Sequence, residues 1–307
     1  MEKPVAIILI NWNSFTLTDE CITSIEKTEE TNYTIVVVDN GSKDGSGKQL
    51  IESHPNIILL ESEQNRGFAG GNNLGMQWAI AQGYTYSFLL NNDTIVGDVF
   101  LSPLIQFLYE NPLAGAVQPK INFLHNNILI WNAGGKYHPI FCTFSTVGYN
   151  QSDRGQFDEP QQIDWITGCA FFIRNAVLEQ TGLLEEGLFM YYEDIDLSIR
   201  IKNKGYFLQY LPTSTIYHIA GMSSKETVKT TTGYLHPRVH YFNTRNRIWI
   251  IKKYLKWYAI PTAFLYHLVY NIMVMGYFMA RMRFTKLRFT FKGILDGLTG
   301  TFNNYYQ

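Results

Sequence analysis

The chain has 307 residues, 46% of them hydrophobic and 17% charged, and a formal net charge of -1. It is long enough for one large domain or two small ones, and too apolar for an intrinsically disordered protein. The charge is divided: residues 1–224 hold 12 Lys and Arg against 24 Asp and Glu, a net of -12, and residues 225–307 hold 13 against Glu226 and Asp296, a net of +11.

The first 120 residues alternate apolar runs with helical patterns. Residues 5–10 read as a buried strand, and 16–27 as a helix with Leu17, Cys21, Ile22 and Ile25 on one face. Strands are expected at 35–38, 57–60, 87–90 and 116–118, and helices at 68–81 and 99–109. Strand–helix alternation with fully apolar strands predicts an α/β fold, its sheet mostly parallel and covered on both faces. Ligands of such sheets lie beyond the carboxyl ends of the strands. The polar clusters 11–13, 39–42 and 91–93 all fall there. Residues 121–165 show no clean period and read as an irregular insertion with short strands near 128–131 and 141–147. A helix is expected at 193–204 and a strand at 207–211; after Pro237 the chain reads as helical and basic.

Three cysteines, Cys21, Cys142 and Cys169, are too few and odd in number for a disulfide framework, and no zinc spacing occurs. The opening residues do not read as a signal peptide, because the apolar run is short and ends at Asn11. A cytosolic, reducing location is expected. Residues 258–280 are nearly uncharged, and as a helix would extend roughly 35 Å, the reach of a membrane span. Basic clusters flank both sides, against the asymmetry of a spanning helix. In-plane attachment, a true span and an interface helix all remain open here.

Five clusters carry chemistry. Asp39, at a strand end before Asn-Gly-Ser42, suits hydrogen bonds from a nucleobase or ribose; Ser42 or Asp44 equally suits a helix cap. The Gly-rich run from Asn65 through Arg66 to Asn72 and Asn73 allows close backbone approach, and Arg66 offers a guanidinium to a diphosphate. Asn92 and Asp93 suit a cation site or an Asx turn. Glu193, Asp194 and Asp196 suit a helix N-terminus; Asp194 also suits a general base, with Arg200 one turn after Asp196 to pair with it. His218 gains weight only where it faces Asp93.

In this order the motifs resemble an inverting family 2 glycosyltransferase of the GT-A fold, in its bacterial rhamnosyltransferase-like branch, over about residues 4–250. The resemblance rests on Asn11, Val-Asp39-Asn-Gly-Ser, Asn65-Arg-Gly-Phe-Ala-Gly-Gly-Asn-Asn, Leu-Asn-Asn-Asp93, Trp165-Ile-Thr-Gly168, Glu193-Asp194-Ile-Asp196 with Arg200, and His218. It implies a mostly parallel Rossmann-like nucleotide-binding sheet with helices on both faces, plus a helical, basic C-terminal region. It further implies that Asp39 and Asn11 line the nucleobase pocket and that Asp93 and His218 hold Mg2+ or Mn2+. Asp194 would be the base, with Trp165 and Gly168 flanking donor sugar and acceptor. Asn91-Asn92 departs from the family's usual first acid and matches the rhamnosyltransferase-like branch.

The expected organisation is a catalytic domain over 1–224, with a nucleotide-sugar half at about 1–120 and an acceptor half at about 121–224. A basic, aromatic, membrane-associated region follows over 225–307. The expected reaction is transfer of a sugar, foremost rhamnose from dTDP-rhamnose, to a hydroxyl of a glycan or polyprenyl-linked glycan in cell-surface polysaccharide synthesis. The expected place is the cytoplasmic side of the bacterial cell membrane, peripheral or monotopic on an anionic surface, without nucleic acid. The C-terminal helices also offer a route to a homo-oligomer. The alternatives are a galactofuranosyl- or other hexosyltransferase using a UDP-sugar, and a non-catalytic nucleotide-sugar-binding scaffold. A nucleotidyltransferase is disfavoured, since Asn-Trp-Asn-Ser stands where its Gly-rich loop would follow the first strand.

Overall fold

The structure, a computed structural model, describes residues 5–219, 225–230 and 233–302. Two compact units divide the chain: residues 1–136, 146–186 and 193–220 form the first, and 137–145, 187–192 and 221–307 the second.

The elements begin with β1 Val5–Asn11, α1 Phe15–Glu26, β2 Tyr33–Asn40, α2 Ser46–Ser53, β3 Ile58–Ser62, α3 Gly67–Ala81, β4 Tyr86–Leu90, β5 Thr94–Val96 and α4 Ser102–Glu110. Next come β6 Ala114–Phe123, β7 Asn126–Asn132, β8 Gly135–His138, β9 Thr143–Thr146, β10 Gln151–Ser152, β11 Gln161–Ile163, β12 Ala170–Arg174, α5 Asn175–Thr181, α6 Glu193–Asn203 and β13 Phe207–His218. The remainder is β14 Lys225–Thr230, β15 Gly233–Leu235, α7 Pro237–Tyr254, α8 Ile260–Ala280 and α9 Phe284–Thr299.

The large sheet runs β10-β7-β6-β12-β4-β1-β2-β3, with β4, β1, β2 and β3 parallel. β12 is antiparallel to both β4 and β6. Side chains alternate across a strand, so β1 faces two cores. Val5, Ile7 and Leu9 pack with Cys21, Ile22 and Ile25 of α1. Ala6 and Ile8 pack with Ala69, Met76 and Ala79 of α3. Each large apolar side chain so buried contributes about 1.5–3 kcal/mol. Gly75 lets α3 lie close, since a Cβ there would stand 2.5 Å from Ile8 Cγ2.

Two expectations change in extent. Residues 121–165 are more regular than their composition indicates: β7 pairs antiparallel with β6, and Gly134, at φ +108, turns the chain toward β8. The strand expected at 207–211 runs on to His218. Pro212, which reads as a stop, sits where the register with β6 shifts between Leu211 and Thr215, a bulge that tolerates the missing N–H. β5, directly after Asp93, carried no sequence signal because it is three residues long.

In the second unit α7 packs on α9 through a small-residue seam. A Cβ on Gly293 would meet the Tyr241 carbonyl at 2.7 Å, and one on Gly297 the Arg245 carbonyl at 2.9 Å. α8 buries only Ala263, His267 and Phe278.

Candidate active site

The site residues of the first unit gather at strand ends. Parallel pairing sets Asn11 opposite Asp39. The Asn11 amide, wholly buried, donates to Asp39 Oδ1 at 3.2 Å, Ser42 Oγ at 3.3 Å and Ser46 Oγ at 2.7 Å. Its Oδ1 accepts from Thr18 Oγ1 at 3.0 Å. Thr18 Oγ1 in turn accepts from the Asn92 amide at 2.9 Å. A continuous polar chain thus links the Asp39 turn to the Asn92–Asp93 turn. Asp44, not Asp39, serves the start of α2, accepting from Ser46 N–H at 3.0 Å. Asp39 instead faces Gly47, where a Cβ would come within 2.5 Å of its Oδ2.

Asn40 shapes the Gly-rich turn. Its Oδ1 accepts from Arg66 N–H at 2.9 Å, and its amide donates to Asn65 Oδ1 at 3.3 Å and Gly67 O at 3.0 Å. Asn65 Oδ1 also accepts from Gly67 N–H at 2.8 Å. Gly67 adopts φ +72, which a side chain would strain. Arg66 forms an ion pair with Glu186 at 3.2 Å, so its guanidinium already has a carboxylate partner. The Asn72 amide turns back to Phe68 O within α3 at 3.0 Å.

Asp93 and His218 are both buried, with 3.0 Å between Oδ1 and Nε2. The His218 ring meets Trp131 edge-on at 4.4 Å between centroids. Its Nδ1 is buried with no hydrogen-bond partner among the described residues. Among the described residues no group of three His, Cys, Asp or Glu is placed to hold a metal. Cys21 lies near Thr94, its thiol pushed up to about 12 by burial; burial also raises Cys169.

At the start of α6, Asp194 Oδ2 accepts from Gly168 N–H and Oδ1 from Ile195 N–H, each at 2.8 Å. Burial raises Asp194 above its ordinary value against the lowering effect of those amides. Glu193 is raised further, by burial first and by Asp194 and Asp196 next, and its Oε2 has no partner among the described residues. Gly168 leaves room for the Phe68 ring, 2.8 Å from where a Cβ would sit. Asp196 is fully buried and accepts from Arg200 Nε at 2.8 Å; Arg200 also donates to the carbonyls of Thr181, Gly182 and Leu183. That pair braces α6 against the turn after α5. Trp165 lies on Gly135, where a Cβ would overlap the indole at 2.2 Å, and its Nε1 is buried without a partner among the described residues.

The family model for glycosyl transferase family 2 matches residues 6–182, more than half of the chain. The chain belongs to that family. It is therefore a glycosyltransferase, and an inverting mechanism is consistent with family 2. The N-acetylglucosaminyl-diphospho-decaprenol L-rhamnosyltransferase of Mycobacterium tuberculosis is 22% identical over 241 residues, 71% of this chain and 76% of its own length. The low-salt glycan biosynthesis hexosyltransferase of Haloferax volcanii is 27% identical over 205 residues, 66% and 63% of the two chains. The dTDP-rhamnosyl transferase RfbF of Shigella flexneri is 22% identical over 232 residues, 75% and 74%. The crystal structure of GalNAc-T7 with UDP, GalNAc and Mn2+ matches with a TM-score of 0.61 at 15% identity, covering 81% of this chain and 48% of that one. The chain thus spans about half the length of that solved neighbour, and the likeness carries the GT-A fold alone.

Sequence reasoning passed over Thr18, Ser46 and Asn40, which complete the polar chain at the strand ends. Their signal was proximity to Asn11 and Asp39. Nothing in the sequence pointed to Trp131 beneath His218 or Glu186 beside Arg66.

Proposed function

We propose that this family 2 glycosyltransferase moves rhamnose from dTDP-rhamnose to a hydroxyl of a lipid-linked glycan. The rhamnosyl donor is supported by two relatives named for rhamnosyl transfer, and the lipid-linked acceptor by the one named for a decaprenol diphosphate. The observation that carries the chemistry is the Asp194 carboxylate, half-buried, raised and held by the Gly168 and Ile195 amides. A carboxylate with a raised pKa takes a proton more readily. In the reaction the acceptor oxygen forms a bond to the anomeric carbon, and the bond from that carbon to the diphosphate oxygen breaks. The nucleoside diphosphate leaves with the electron pair and the acceptor proton passes to Asp194. One displacement inverts the anomeric centre without a protein nucleophile.

Asp39 and Asn11 accept and orient the nucleobase in this reading, and the Gly-rich turn at Gly67 admits the diphosphate. Asp93 and His218 suit a divalent cation: a buried carboxylate and a buried imidazole side by side would supply one oxygen and one nitrogen ligand. Mg2+ or Mn2+ held there would neutralise charge on the leaving diphosphate.

A hexosyl donor carried by UDP is the second reading, favoured by the relative named a hexosyltransferase. A panel of dTDP-rhamnose, UDP-galactofuranose and other UDP-hexoses, with and without Mn2+, discriminates these by nucleotide release. Release above background from no donor would leave only the nucleotide-sugar-binding scaffold.

The second unit is read as the membrane attachment. α8 is anchored at three points: Thr262 donates to Ile140 O at 2.7 Å, His267 Nε2 lies 2.8 Å from Phe141 O, and Arg247 donates to Asn271 at 2.6 Å. Between and beyond these anchors it exposes Phe264, Leu265, Leu268, Ile272 and Met279. Basic residues stand at both ends, Lys252, Lys253 and Lys256 before and Arg281 and Arg288 after. An exposed apolar helix that is cationic at both ends suits lying in the interface, where both ends reach anionic headgroups. The cytoplasmic side of the cell membrane is the place this implies.

A further inference from the structure

Residues 187–192 lead by one peptide bond into Glu193 and Asp194. Three of these six, all aromatic, adopt left-handed backbone: Phe189 at φ 65, Tyr191 at φ 70 and Tyr192 at φ 74. Bulky side chains reach that region only where their surroundings enforce it.

The enforcing residues are neighbours on α7. The Asn246 amide, wholly buried, points to three carbonyls, 2.9 Å from Leu188 O, 2.8 Å from Met190 O and 2.7 Å from Tyr191 O. Its Oδ1 accepts from Arg245 Nε at 2.8 Å, which fixes the amide's orientation. Arg245 Nη2 donates to Gly187 O at 2.9 Å and Leu188 O at 2.8 Å. Its guanidinium lies 5.0 Å from the Phe242 ring centroid and 5.2 Å from that of Phe302. Phe189 stacks on Phe242 at 5.2 Å and 14°. Arg245 and Asn246 are both wholly buried. These side chains spend their donors on the carbonyls of this irregular turn.

We propose that Arg245 and Asn246 are positioning residues for sugar transfer, holding the left-handed turn 187–192 from which the chain enters α6 and its Asp194. The inference rests on Asp194 being the base. Displacement of such a group by about 1 Å costs about 100-fold in rate, because proton transfer needs a fixed geometry.

The test compares Asn246→Ala, Asn246→Asp and Asp194→Asn in the full chain, with the best donor from the panel above. Asn246→Asp keeps the shape and the Arg245 contact and removes the donors. Asn243→Ala is the control, a like deletion on α7 whose amide bonds only Val239 O. Both Asn246 variants are expected to lose about 100-fold in kcat with donor KM within about twofold of the parent. Amide exchange should quicken across 187–193, and Asn243→Ala should match the parent. An active Asn246→Asp, a loss carried by KM alone, or an equal loss in Asn243→Ala overturns the proposal. So does failure of both Asn246 variants to unfold cooperatively, which marks a purely structural pair. Full activity in Asp194→Asn, or no donor turnover by the parent, removes the underlying base assignment instead, and the proposal with it.

Discussion

Asp93 and His218 stand 125 residues apart in the chain and 3.0 Å apart in the fold. The cause is strand register. β13 runs antiparallel to β5, with His218 opposite Thr94, the residue after Asp93. The bulge at Pro212 lets one strand reach both β6 and β5. Two polar groups far apart in the chain become a buried hydrogen-bonded pair.

Asp93→Asn and His218→Ala should each abolish the gain in nucleotide affinity that Mn2+ gives the parent and lower kcat by about 100-fold. Calorimetry with dTDP or UDP, with and without Mn2+, checks this. Mn2+ dependence that survives in both variants counts against the cation site.

Asp194→Asn should lower kcat by about 10²–10⁴-fold while nucleotide affinity stays within about twofold. The base must be ionised, and burial raises its pKa. The acid limb of the parent's pH–rate profile should therefore lie above the ordinary carboxylate range, with activity falling as pH drops through it. A limb at or below that range counts against Asp194.

Glu193 bears on stability. Its folded pKa is raised, so the folded state binds the proton more tightly than the unfolded chain. That contribution is present below the ordinary carboxylate value and is lost as pH rises through the raised one. Glu193→Gln should therefore raise Tm relative to the parent at neutral and alkaline pH, with the advantage vanishing near pH 4. A Tm difference independent of pH would falsify the linkage.

Asn11→Ala should cost about 1–3 kcal/mol of stability, since it strips partners from buried Ser46 and Thr18. It should also weaken nucleotide binding through Asp39. Thermal unfolding and calorimetry check both; an unchanged dissociation constant would remove Asn11 from the nucleobase pocket.

Lys252, Lys253 and Lys256 changed together to Glu should reduce sedimentation with phosphatidylglycerol vesicles, at about 1 kcal/mol per basic residue. The difference should shrink at high salt. Trp257, 81% exposed, should shift its emission to shorter wavelength on vesicle binding. Equal binding by parent and variant at low salt would sink the anionic-surface reading.

The division of charge into an acidic and a basic segment, the alternation of apolar strands with helices, and the order of the motifs are properties of the sequence by itself. They follow from local periodicity and composition, and they sufficed for the α/β class and for the glycosyltransferase family. The placement of Asp39, Asp93 and Asp194 at strand or helix ends was legible for the same reason. Tertiary structure alone decided which residues meet. Parallel register joined Asn11 to Asp39, a bulged strand joined His218 to Asp93, and α7 brought Asn246 to the carbonyls before Glu193. Arg66 looked free in sequence and is paired with Glu186, 120 residues on. Such pairings depend on long-range register and helix packing, which no local pattern encodes.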